Sequence, residues 1–173
     1  MSNCCRRSFL VAPLTLLIAT SAFARSSLAD GQAVVSLQND QPCFSYPLDK
    51  VTAKFKFTPY LVEVFLNNED AAASSAKVWE FRLTRAQLLS NEPPPADRCV
   101  EYGKPPPGGD HASATPLEVN TPYRVYMTMF SAEPGSGGNR SYYEDFCITL
   151  DAQNGKSIAK AVHNPLTNRF ICP

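Results

Sequence analysis

Tyr123-Arg124-Val125-Tyr126-Met127-Thr128-Met129-Phe130 reads as a β-strand with one face in a core. Tyr123, Val125, Met127 and Met129 recur at every second position, and Arg124, Tyr126 and Thr128 fill the places between. Successive side chains of a strand point to opposite sides, so this spacing buries the first set and exposes the second. Outward from it, residues 142–150 form the next strand. Phe146, Ile148 and Leu150 share its apolar face, and Cys147 points the other way.

The same alternation recurs upstream. Residues 33–38 and 42–48 are strand-like, joined by a turn at Asn39-Asp40. Lys54-Phe55-Lys56-Phe57 alternates charge with aromatic. After Pro59, Tyr60, Val62, Val64 and Leu66 line one face, with Glu63 opposite. In residues 77–83, Trp79, Phe81 and Leu83 point inward, and Glu80 and Arg82 outward. Thr84 is placed to cap one short helix over 85–90. Pro93-Pro94-Pro95 and Pro105-Pro106-Pro107-Gly108-Gly109 flank a short edge strand at 98–102. Residues 133–138 read as a flexible glycine-rich loop, Asn154-Gly155 as a turn, and 157–162 and 169–172 as the last strands. Eight to ten short strands and at most one short helix predict an all-β chain, a β-sandwich of two packed sheets.

Composition agrees. Proline is 15 of 173 residues, about twice the usual ~5%, which no long helical bundle tolerates. Lys plus Arg and Asp plus Glu number 16 each, and only 18% of residues are charged. That balance excludes a basic nucleic-acid arm and an acidic disordered tail.

Residues 1–24 read as an address. Arg6 and Arg7 precede an apolar stretch from 9 to 18, and Ala22-Phe23-Ala24 is a small-residue cleavage site, with a second at Ala29. Arg6-Arg7-Ser8-Phe9-Leu10 also resembles the twin-arginine export signal of bacteria; an ordinary Sec signal is the other route. Either implies a periplasmic or secreted product. Cys4 and Cys5 precede the apolar stretch and no cysteine lies near either cut, so no stable membrane anchor is expected. Cutting after Ala24 removes Arg6 and Arg7 and leaves 14 cations against 16 acids, a charge of −2; a single domain is expected over 30–173.

Cys43, Cys99, Cys147 and Cys172 remain. An even count in an exported chain predicts two disulfides, with three connectivities open. Cys43 opposes Phe44 and Tyr46, as Cys147 opposes Phe146, so these cysteines lie off the core face; a Cys43–Cys147 bond is one candidate pairing. No two of the four sit two to four residues apart, so no zinc site is expected. His111 and His163 read as solvated loop residues.

Two resemblances extend this reading. Leu117-Glu118-Val119-Asn120-Thr121-Pro122-Tyr123 resembles the corner before the penultimate strand of fibronectin type III and immunoglobulin-like sandwiches. There a leucine six residues before a tyrosine accompanies a hydroxyl bonded back to the corner's backbone. More widely, Pro42-Cys43-Phe44-Ser45, Arg98-Cys99-Val100-Glu101-Tyr102-Gly103, the 123–127 strand and Tyr143 to Ile148 are similar to the type VI secretion immunity proteins of the bacterial periplasm. That family is usually lipid-anchored, and this chain lacks the cysteine that anchoring requires. The resemblance implies a protein partner, a secreted toxin, and no catalysis.

No catalytic, metal or cofactor motif appears: no phosphate loop, no His-x-x-x-His pair and no Gly-x-Ser-x-Gly elbow. Adjacent acids in a strand, such as Glu144-Asp145, point to opposite faces and form no paired-acid site. Asn139-Arg140-Ser141 is a glycosylation sequon, idle in a bacterium. The candidate contact surface is Glu133, Asn139, Tyr142, Tyr143 and Glu144, since tyrosine is favoured at interface centres. A second candidate is the loop at 105–112. The rival to immunity is an envelope adhesion, structural or ligand-binding sandwich.

Overall fold

The computed structural model describes residues 30–50, 52–67, 76–90, 99–106 and 108–173. The proposed signal segment, the first proline cluster and the loop at 68–75 lie outside them. Twelve strands and one helix are present among the described residues: β1 (Gly31–Gln32), β2 (Val34–Gln38), β3 (Gln41–Ser45), β4 (Thr58–Leu66), β5 (Lys77–Arg82), α1 (Arg85–Ser90), β6 (Val100–Glu101), β7 (Asp110–His111), β8 (Pro122–Phe130), β9 (Asn139–Leu150), β10 (Lys156–Lys160), β11 (Val162–Asn164) and β12 (Arg169–Ile171).

The larger sheet runs β1-β9-β8-β4-β5-β7, with β10 also on β9. The long β9 gives its first half to β1, in parallel, and its second half to β10. The smaller sheet runs β2-β3-β6, and β11 and β12 form a separate hairpin. All sheets are open. The core lies between the two larger ones. Phe44 of the small sheet meets Trp79 and Phe146 of the large one at centroid distances of 6.4 and 5.8 Å. Tyr102, just past β6, packs on Trp79 at 5.2 Å and donates to the Thr115 carbonyl at 2.6 Å.

The alternation read in the central strand holds. Tyr123, Val125, Met127 and Met129 are buried and Tyr126 is exposed. Trp79, Phe81 and Leu83 are buried likewise. The Tyr123 hydroxyl accepts from the Glu118 amide at 2.8 Å, and Leu117 packs against the core. Helix α1 spans the predicted residues. The Thr84 amide donates to Gln87 Oε1 at 2.6 Å and the Gln87 amide to Thr84 Oγ1 at 3.4 Å, a reciprocal cap.

Four expectations change. Lys54 to Phe57 is not a strand. Asp49 and Thr52 exchange backbone-to-side-chain bonds of 2.7 and 2.8 Å, which close a turn there, and Phe57 is then buried. The loop at 133–138 is a structured turn: the Ser131 amide donates to the Gly138 carbonyl, and buried Ser136 donates to the Ser131 carbonyl. Within the 105–112 loop, Asp110 and His111 are sheet edge. There β7 pairs with β5, and Gly109 lies so close to Phe81 that a β-carbon would sit 2.1 Å from its ring. The fourth is the cysteine pairing.

The disulfides are Cys43–Cys99 and Cys147–Cys172. Cys43–Cys147 is excluded by the faces. Cys43 lies on the outside of the small sheet and Cys147 on the outside of the large one, with the core between them. Both sulfurs do lie off the core face, as the alternation required, although both residues are fully buried by what is bridged over them.

Candidate functional site: the outer face of the large sheet

Register builds this face. Glu63, Tyr126 and Tyr143 are opposite one another across β4, β8 and β9, and Phe65, Arg124 and Asp145 form the adjacent row. Phe65 meets Tyr126 edge-on at 5.9 Å, and Tyr126 meets Tyr143 at 6.2 Å. Tyr126 and Tyr143 are 39% and 38% exposed, enough to offer ring area to a partner while their neighbours hold them in place.

Arg124 organises the cluster. Its guanidinium stacks over Tyr126 at 5.9 Å, Tyr143 at 5.6 Å and Phe170 of β12 at 5.2 Å. It also donates to both oxygens of Asp145, at 2.6 and 2.8 Å. Asp145 is buried and accepts a third bond from Asn67 at 2.7 Å. A planar guanidinium suits this, since it can fork onto a carboxylate and stack on rings at once. The bonds to Asp145 raise the Arg124 pKa further above its ordinary value.

The Cys147–Cys172 bond ties the C-terminal tail to the same face, which sets the β11–β12 hairpin beside the tyrosines. His163 packs edge-on to Phe170 at 5.2 Å. On the hairpin Val162 and Ile171 are exposed, and Leu166 at its tip is 94% exposed. Lys77 sits over Phe65 at 5.7 Å, bonded to Glu63 at 2.6 Å and to Glu80. The face therefore carries aromatic area with each of these cations matched by an acid.

The sequence-predicted contact residues do not converge. Tyr143 lies on the outer face. Tyr142 points inward, stacks on Tyr46 at 6.2 Å and is 1% exposed, so it offers no surface; burial raises its pKa. Glu144 faces inward at the sheet edge and pairs with Lys160 at 3.1 Å. Glu144 and Lys160 line a groove of about 220 Å3 with Ala33, Val35, Phe146 and Ile158. Glu133 accepts from the Lys56 amide at 3.2 Å, and Asn139 is exposed where β9 begins, opposite Phe130. Tyr126, Arg124, Phe65 and Phe170 escaped the sequence reading as contact residues. The signal was available in part: a tyrosine and an arginine on the polar side of the clearest strand.

Among the described residues no group of three or more His, Cys, Asp or Glu is placed to hold a metal ion, and no helix is long and apolar enough to cross a membrane. Comparisons with protein-family models, curated proteins and solved structures found no match to this chain.

Proposed function

We propose that this chain is an exported, non-catalytic binding protein that holds a protein partner on the outer face of its large sheet. Its most concrete role is that of a periplasmic immunity-like protein neutralising a secreted toxin. One observation carries the binding reading: Tyr126 and Tyr143 stand half-exposed and pre-positioned around the Arg124 guanidinium. Tyrosine and arginine in such arrangements are the residue types that dominate binding energy at protein interfaces, and rings already held in place lose little freedom on docking. The toxin assignment rests on the resemblance of the cysteine-bearing strands to immunity proteins. Export rests on the N-terminal 24 residues and on two disulfides, which persist in oxidising compartments.

The frame is proposed to be fibronectin type III-like. The supporting features are a three-stranded β2-β3-β6 sheet facing β5-β4-β8-β9, and the hydroxyl of Tyr123 bonded back to Glu118. A second reading has its own support. Two tyrosines side by side on a flat sheet also suit a neutral sugar ring, as in a ligand-binding envelope module.

The test is protection. Cells expressing the full chain should survive a periplasm-directed toxin encoded by the neighbouring gene, and cells expressing it without residues 1–24 should not. Tyr126→Ala with Tyr143→Ala should abolish protection and toxin binding while the protein still melts in one transition. Retained glycan binding without toxin binding would favour the second reading. Neither binding nor protection by the exported chain would end the immunity reading.

A further inference from the structure

A natural sheet edge is ordinarily blunted, because its unpaired amides and carbonyls are a template for another strand. Most free edges of the two larger sheets follow that rule. β1, β6 and β7 are each two residues long. β10 carries Lys156 and Lys160 at its ends. β2 does not follow it: Val34-Val35-Ser36-Leu37-Gln38 has five residues, no charge and no proline, and it pairs in unbroken register with β3 alone. Its outward side chains are small or uncharged, and Val34 is 44% exposed.

Which backbone groups are free follows from the turn. Asn39 and Asp40 both have positive φ, 52° and 61°, and form a two-residue hairpin turn. Such a turn makes Gln38 and Gln41 a hydrogen-bonded pair, and the pairs alternate from there. Ser36 with Cys43 and Val34 with Ser45 are then bonded, while Leu37 with Pro42 and Val35 with Phe44 are not. Two observations agree with this parity. Pro42, which has no N–H, falls at an unbonded position, and its carbonyl faces β6, accepting from the Tyr102 amide at 2.8 Å. The amides and carbonyls of Val35 and Leu37 therefore point away from β3, along an edge that β10 approaches without pairing to it.

We propose that β2 is a self-pairing edge: two copies of the chain join antiparallel about a two-fold axis at Ser36, and Val35 and Leu37 exchange backbone hydrogen bonds with Leu37 and Val35 of the second copy. The register is self-complementary. All four free groups on each strand meet a partner, Ser36 faces its own counterpart, and Val34 faces Gln38, so the two β2 strands bring no like charges together. The small sheet becomes a continuous six-stranded sheet, and the dimer does not depend on what the tyrosine face binds.

The experiment is sedimentation equilibrium on the full disulfide-bonded protein from micromolar to near-millimolar concentration, with amide exchange on the same samples. Twice the chain mass at the upper end is expected, with Val35 and Leu37 amides protected only there. Val34→Lys with Ser36→Lys adds two cations to each strand of the pair, the one at position 36 facing its own copy across the axis and the one at position 34 facing Gln38; it should give a monomer that melts as the parent does. Tyr143→Ala should leave the dimer intact. A monomer at every concentration overturns the proposal. So does a dimer that survives the two lysines, or one lost with Tyr143→Ala, since either places the contact elsewhere.

Discussion

The two disulfides clamp opposite outer faces of the molecule, and they clamp different things. Cys43–Cys99 joins β3 to the start of β6, strands that a ladder already holds side by side. Cys147–Cys172 joins β9 to the tail beyond β12, a hairpin that pairs with neither larger sheet and sets Phe170 under Arg124. The first bond constrains strands whose separation requires the small sheet to come apart. The second holds in place an element that can detach while both larger sheets stay folded. A cross-link of similar chain-entropy value, about 4 kcal/mol for a separation of 56 and about 3.5 for 25, thus has global consequences in one place and local ones in the other.

The largest expected effect breaks the first clamp. Cys43→Ser with Cys99→Ser should lower global stability by ~2–5 kcal/mol in denaturant titration, because the loop it closes contains the whole of β4, β5 and α1. Cys147→Ser with Cys172→Ser should shift the global midpoint less. Its signature is local: amides of β11 and β12 exchange freely while those of β8 keep their protection. If the tyrosine face binds the proposed partner, that binding should also weaken, because Phe170 no longer supports Arg124. Equal global losses with no local exchange would remove the distinction between the clamps.

The contrast also separates what was legible in the sequence from what was not. The central strand, its tyrosine corner and the inward row Trp79, Phe81 and Leu83 follow from two-residue periodicity, a local property. The even cysteine count and the off-core placement of the sulfurs were equally local. The pairing was not. It depends on which sheet each strand joins, and alternation gives the side of a strand without naming its sheet. The same limit scattered the contact residues. Tyr142 and Tyr143 are neighbours in sequence and stand on opposite faces, while Tyr126, Arg124 and Phe170 come together only through register and the C-terminal disulfide. β1 is two residues long and pairs in parallel, too short a segment to show any period.

A smaller effect sharpens the inside-to-outside comparison along β8. Tyr123→Phe keeps the ring but strips the part-buried Glu118 amide of its acceptor, at ~0.5–1.5 kcal/mol for a lost intramolecular hydrogen bond. Tyr126→Phe, three residues on and on the solvent side, should change stability by less than ~0.5 kcal/mol. Its consequence, on the proposed function, is a loss of partner binding. A Tyr126→Phe variant as unstable as Tyr123→Phe would contradict the assignment of these two rings to opposite faces.

The smallest effect lies in the charges rimming the tyrosine face. Bonding to Lys77 holds Glu80 below its usual carboxylate range, and bonding to Glu63 and Glu80 raises Lys77 above its usual amine value. A carboxylate with a depressed folded pKa contributes stability above its unfolded value of about 4.3, and that contribution fades as pH falls through the lower folded value. An amine with a raised folded pKa contributes fully below about 10.4, and the contribution fades as pH rises through the higher folded value. The pair should therefore be intact from mild acid to mild alkali. Lys77 is 37% exposed, so screening holds its worth to under ~1 kcal/mol. Glu80→Gln should cost that amount at neutral pH, less in high salt, and nothing below the folded carboxylate pKa, where the parent has already lost the interaction. An undiminished cost in strong acid would mean that Glu80 contributes through packing against the face and not through its charge.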